Sequence, residues 1–239
     1  DFCLSRGLGD VYKRQVLGSP VAGIAKDEII DATPAIERIQ EIFTDAELQN
    51  LPRKFKSAIS GNARQDVVHE INDLAFIGVE HPELGPGFEC YVGGGLSTNP
   101  MLAQSLGAFV TLEQVPEVWA NVVRIFRDYG YRRLRNRARL KFLVAEWGVE
   151  KFRRILEEDY LGYALPDGPH APNNLVDRDH IGVHEQKDGN VYIGVKPTLG
   201  HMSGEQLIAI ADLAEHFGVS QLRFTPAVSY THLKLPTIL

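Results

Sequence analysis

Leu51-Pro52-Arg53-Lys54-Phe55-Lys56-Ser57-Ala58-Ile59-Ser60 is the stretch on which the reading of this chain turns. From Phe55 onward apolar and polar residues alternate, and a strand sends successive side chains to opposite faces. Phe55, Ser57 and Ile59 then share one face, while Lys54 and Lys56 share the other at a spacing of roughly 7 Å. Two ammonium groups held that close repel unless an anion sits between them. The alternative is a solvated edge strand, where lysines discourage pairing with a second edge.

Positive charge gathers again downstream. Arg132, Arg133, Arg135, Arg137, Arg139 and Lys141 fall within ten residues, although the chain carries a formal charge of -6. That balance argues against a general nucleic-acid binder and points to a local acidic partner. An RNA-binding module is the competing reading of this run, but no aromatic stacking platform accompanies it. The length of 239 residues, with 44% hydrophobic and 23% charged, suits a soluble globular protein of one large or two small domains. No apolar run approaches the ~20 residues that span a bilayer, so no membrane partner is expected.

The elements between these landmarks mix α and β. Thr33 and Pro34 predict a helix start, with Ile36, Ile39 and Phe43 at helical spacing. Leu74 to Val79 and Gly87 to Val92 predict two strands around a turn-rich Glu80 to Pro86, leading into Gly93-Gly94-Gly95. Pro116 opens a helix that Gly130 closes, with Trp119, Val122, Phe126 and Tyr129 on one face. Arg132 to Lys141 is expected as a basic helix with Leu134, Ala138, Phe142 and Ala145 as its apolar stripe, and Val149 to Tyr160 as a shorter one. Pro166 to Asn174 reads as a linker. Beyond it, strands over His180 to Gln186 and Val191 to Pro197, a helix capped by Ser203 and Gln206, and a strand over Gln221 to Thr225 give a β-β-α-β order. Leu207, Ala211, Ala214 and Phe217 are the expected inner face of that helix.

Five motifs occur in one order: Leu51-Pro52-Arg53-Lys54-Phe55-Lys56, His69 to Ile77, Val92-Gly93-Gly94-Gly95-Leu96-Ser97, Arg127-Asp128-Tyr129-Gly130 and Arg135 to Lys141. In this order the chain, from about Val21 to about Pro226, resembles the siroheme-dependent nitrite and sulfite reductases, especially the ferredoxin-linked actinobacterial type. The resemblance implies an α+β fold. Residues 16–165 would be a siroheme-binding first catalytic lobe, and 166–226 a ferredoxin-like half-domain. Residues 1–15 and 227–239 match nothing in the family, read as non-native adapter-derived ends and are set aside.

The implied activity is six-electron reduction of sulfite to sulfide with ferredoxin as donor. Nitrite to ammonia is the alternative, and an inactive scaffold fragment or an anion- or nucleic-acid-binding module is the non-enzyme reading. The implied cofactors are siroheme and a 4Fe-4S cluster. Cys3 and Cys90 are too few for a four-thiolate site, so the cluster ligands are expected outside this chain, which would be an incomplete reductase. By the same resemblance the complete protein would be cytoplasmic and monomeric.

Site residues follow from the motif positions. Arg53, Lys54 and Lys56 belong to the siroheme cradle, and Lys54 and Lys56 would also hold and protonate the anion. Arg135, Arg139 and Lys141 would pair with siroheme carboxylates, for which an arginine fork is well shaped. Gly93, Gly94 and Gly95 would let the backbone lie against the cofactor, with Asn72 bonding in the same cradle. A turn and a buried structural amide are the respective alternatives. Arg132, Arg133 and Arg137 read as a solvated face. His180 and His184 do not read as a metal pair, nor Cys90 as a nucleophile.

Overall fold

A computed structural model describes residues 13–97, 99–172, 178–198, 201–219, 222–225 and 237–238. A five-stranded sheet organises the first lobe in the order β1 (Lys13–Gly18), β2 (Phe55–Ser60), β3 (Leu74–His81), β4 (Gly85–Val92) and β5 (Gln104–Val110). β1, β2 and β3 run parallel, and β4 and β5 add antiparallel. β1 takes in Lys13–Gln15, residues set aside on sequence grounds.

The sheet is covered on both faces, which is why β3 reads as an almost unbroken apolar run. Phe55 and Ile59 face the main core with Trp119 and Phe126, and Trp119 Nε1 donates to Ser57 Oγ at 2.8 Å. Ala58 of β2 packs on the opposite face with Val67, Ala75 and Ile77. The alternation read from the sequence therefore holds.

Helices α1 (Thr33–Ile42), α2 (Val115–Tyr129), α3 (Leu140–Trp147) and α4 (Val149–Ile155) supply the cover. Thr33 is the first helical residue rather than the cap, and its amide donates to Asp31 Oδ1 at 2.9 Å. α2 starts at Val115, one residue before the expected Pro116, and Gly130 caps its end as expected. The hairpin is longer than expected because His81 Nδ1 accepts the amides of Glu83 and Leu84, shortening its turn. α4 runs into a wide turn over Leu156–Leu161, with Phe152 and Leu156 buried as expected.

One element departs from expectation. Arg132 to Lys141 is not a helix: a single 3-10 turn covers Arg135–Arg137, and α3 begins only at Leu140. Arginines at every second position do not build a helical face. Arg132 instead reaches back to the carbonyls of Asn50 and Arg127 at 2.6 and 2.9 Å, which bends the chain away from α2.

Pro166 to Pro172 is docked rather than a free linker. Pro166 O accepts from Phe109 at 2.8 Å, Arg153 holds Asp167 at 2.7 Å, and the fully buried Glu89 accepts from the Ala171 amide at 2.6 Å. Asn173 and Asn174 lie outside the described residues.

The second unit has β6 (Gly182–Glu185), β7 (Val191–Gly194), α5 (Gly204–His216) and β8 (Phe224–Thr225) in the expected order, and both halves of the Ser203 capping box form. β8 pairs with β9 (Thr237–Ile238) instead of joining the β6–β7 hairpin. A two-stranded hairpin is too narrow to cover a helix. Contrary to expectation, Leu207, Ala211 and Phe217 are exposed and Ala214 is only half-buried.

A buried polar cluster fastens the two units. Asp66 accepts from Ser19 Oγ at 2.6 Å, Ser60 Oγ at 2.7 Å and His180 Nε2 at 2.7 Å, while His180 Nδ1 meets the Tyr192 hydroxyl at 3.1 Å. Asp66→Asn turns an amide donor toward a donor and is expected to cost about 2 kcal/mol. Chemical denaturation checks this, and an unchanged midpoint would contradict it.

Arg178 makes a second, two-pronged fastening to Glu70 at 2.8 and 3.0 Å. Burial pushes the Glu70 carboxyl up, but the Arg178 bond, its own amide and the charges of His69 and Arg178 outweigh burial and hold it below its usual range. A depressed folded pKa contributes stability above the unfolded value of about 4.3 and loses it as pH falls through the folded value. Amide protection around Arg178, taken as exchange relative to the intrinsic rate at each pH, should therefore hold at pH ~6 and fall only as pH drops below the ordinary Glu value of about 4.3. Loss of protection already at pH ~6 would rule this out.

Candidate anion and cofactor cleft

A cleft of about 370 Å³ opens where three segments of the first lobe meet. Arg53 and Lys54 come from the lead into β2, Leu96 and Ser97 from the end of the glycine loop, and Arg135 and Asn136 from the 3-10 turn. Arg139, Lys141 and Phe142 come from the start of α3. Five of the nine lining residues are cationic and none is a carboxylate. Such a wall favours an anion with several negative groups.

The cations are held in place from behind. Arg53 Nη1 donates to the Arg135 carbonyl at 3.1 Å, tying the strand lead to the turn. Arg139 clasps Asp73 through Nε at 3.2 Å and Nη2 at 2.8 and 2.9 Å, with both residues buried. Lys141 Nζ donates to the carbonyls of Leu96 at 2.9 Å, Gly95 at 3.3 Å and Asn99. Burial first, then the charges of Arg139 and Arg53, pulls the Lys141 ammonium below the ordinary lysine range, and Asp73 opposes them.

Arg53, Lys54, Arg135, Arg139 and Lys141 are thus brought together, whereas Lys56, Asn72 and the three glycines are not part of the wall. Lys56 is half-buried, and its amide donates to Asp73 Oδ2 at 3.0 Å. Asn72 is buried and donates through Nδ2 to the Val68 carbonyl at 3.1 Å. The glycines are buried and closely approached by the protein itself. Gly93 has φ +84°, and a Cβ on Gly94 would lie 2.6 Å from the Asn72 carbonyl. A Cβ on Gly95 would press on Arg139 Nη2 at 3.3 Å.

Sequence reasoning missed Asp73, Leu96, Ser97, Asn136 and Phe142. Asp73 had a usable signal, since a carboxylate directly before the buried run Leu74–Val79 needs a cation. Among the described residues no cluster of His, Cys, Asp and Glu could hold a metal ion. Cys90 is fully buried, and burial pushes its thiol far up. None of the described helices is long and apolar enough to cross a membrane.

Comparison with known proteins assigns the class. The family described as "Nitrite and sulphite reductase 4Fe-4S domain" matches residues 11–164, and "Nitrite/Sulfite reductase ferredoxin-like half domain" matches residues 184–228. The chain belongs to the nitrite and sulfite reductase family. Two relatives are both 54% identical to it. They are sulfite reductase [ferredoxin] 2 of Mycolicibacterium paratuberculosis, over 225 residues and 93% of this chain, and sulfite reductase [ferredoxin] of Mycobacterium tuberculosis, over 228 residues and 95%. A ferredoxin--nitrite reductase of Synechococcus elongatus is 36% identical over 242 residues, covering 95% of this chain and 46% of its own length. The solved structure of the Mycobacterium tuberculosis NirA protein superposes with a TM-score of 0.88 at 52% identity, covering 96% of this chain and 41% of that one. The chain spans 40% of the length of the two sulfite reductases. The family implies siroheme and a 4Fe-4S cluster as cofactors.

Proposed function

We propose that this chain supplies the cationic wall of the siroheme and substrate site, with the adjoining half-domain, in a ferredoxin-dependent reductase that converts sulfite to sulfide in six electron steps. The observation that carries the reading is the cleft of five cations without a carboxylate, built from three motifs of the family pattern. Siroheme is a tetrapyrrole rich in carboxylates, so this donor set fits it. Cavity size and charge both suit a part of such a ligand.

In this reading Arg53 and Arg135 take carboxylates by paired hydrogen bonds, and Arg139 and Lys141 add charge from behind. Lys54 and Lys56 hold the substrate anion and release protons to the oxygens that leave as water. Lys56 takes this role by its spacing of two from Lys54, though its side chain is not in the cleft wall. Siroheme and the cluster, when bound, supply the electron transfer. Asn72 and Gly93–Gly95 act by shaping the loop behind the cofactor.

Ferredoxin as donor, a cytoplasmic setting and a monomeric state belong to the same proposal, as does the division into residues 16–165 and 166–226. Sulfite is preferred over nitrite because the sulfite reductases above are 54% identical and the nitrite reductase 36%. Reconstitution with siroheme tests the cradle. The wild-type chain should gain a stable tetrapyrrole absorption band that Arg53→Ala with Arg135→Ala loses. Equal retention in both would contradict it.

A further inference from the structure

Asp73 bonds to β2, to the glycine loop and to Arg139 without itself lining the cleft. Its Oδ2 accepts from the Lys56 amide at 3.0 Å and from Arg139 Nη2 at 2.8 Å, and its Oδ1 accepts from Arg139 Nε and Nη2 at 3.2 and 2.9 Å. Its main chain extends the joint: the Asp73 amide donates to the Lys56 carbonyl at 3.0 Å, and the Gly93 amide donates to the Asp73 carbonyl at 2.9 Å. The residue is 0% exposed, so any effect on a ligand passes through its neighbours.

We infer that Asp73 is the positioning residue of the cleft, fixing the start of β2 at Lys56, next to Lys54, against Arg139 so that an arriving anion meets Lys54 and Arg139 already in place. This rests on the siroheme and anion reading above. Cations aimed in advance need no reorganisation when charge arrives. A pure counter-charge would act with the opposite sign. A carboxylate beside the cleft repels an anion, so removing it would tighten anion binding. Positioning predicts weaker binding on removal.

The test uses a complete reductase chain carrying this sequence and loaded with siroheme. Sulfite is titrated into the oxidised protein, and the change in siroheme absorption gives a dissociation constant apart from turnover. Asp73→Asn should keep its siroheme yet bind sulfite roughly tenfold more weakly, the scale of one lost charge-assisted hydrogen bond. Asp73→Glu should recover part of that loss. Asp73→Glu also keeps both buried charges, so no stranded cation threatens folding, and positioning predicts sulfite binding weaker than wild type even there. Unchanged or tighter sulfite binding in Asp73→Asn, or in Asp73→Glu where Asp73→Asn does not load siroheme, would overturn the inference. A wild-type chain that takes up no siroheme would instead overturn the reading beneath it, and the inference with it.

Discussion

Replacing Lys54 with Met in the complete reductase is expected to lower kcat/KM for sulfite by about 10²–10⁴ while siroheme content holds. Met keeps the length and apolar stem of the side chain but removes its charge and its protons. Lys54 lines the cleft beside Arg53, Arg135, Arg139 and Lys141, and those four still attract an anion. The fall should therefore lie mainly in kcat. Lys54→Arg separates the two duties, because Arg carries the charge but does not surrender a proton near neutral pH. It should restore KM more than kcat. A Lys54→Met enzyme within about threefold of wild type, against the losses expected of a proton donor, would remove Lys54 from the chemistry.

Arg139→Met is expected to destabilise the first lobe by about 3–5 kcal/mol, because it leaves the Asp73 carboxylate buried without its cation. Asp73 is 0% exposed and Arg139 6% exposed, so water does not compensate. Breaking such a pair costs far more than the pair contributes over an apolar replacement. Adding Asp73→Leu should accordingly recover most of the loss. Denaturant unfolding of the three proteins reads this directly. A single variant within about 0.5 kcal/mol of wild type would mean that the pair is not sealed from solvent.

Much of the lobe was legible because its elements obey one period each. The alternation from Phe55 to Ser60 places Phe55, Ser57 and Ile59 on one face, which proves to be the one toward the helices, and the run from Leu74 to Val79 announces a strand. Val115 to Gly130 and the Ser203 capping box carried their own start and stop signals. Failures came where a tertiary contact outranked the local pattern. The spacing from Arg132 to Lys141 suggests a basic helix, but the bonds from Arg132 to Asn50 and Arg127 pull the segment before Leu140 out of line.

At the cleft, the cations were visible as residue types but not by what holds them. Lys141 is capped by loop carbonyls and Arg139 is clasped by Asp73, partners more than 40 positions away in the chain. No periodicity encodes such a partner. The groups nearest Gly93, Gly94 and Gly95 are Val144, Asn72, Glu70, Arg139 and Lys141 of the protein itself, a packing that three glycines in a row do not announce. α5 had the right cap and apolar spacing, yet no sheet wide enough to cover it stands among the described residues.

An electron balance tests the central claim most directly. With the complete chain, reduced ferredoxin and sulfite under anaerobic conditions, ferredoxin oxidised and sulfide formed are counted together, and nitrite is run in parallel. The account predicts one sulfide for every six electrons, lost in Lys54→Met, with a higher kcat/KM for sulfite than for nitrite. Ferredoxin oxidation that yields no sulfide, or a preference for nitrite, would contradict it.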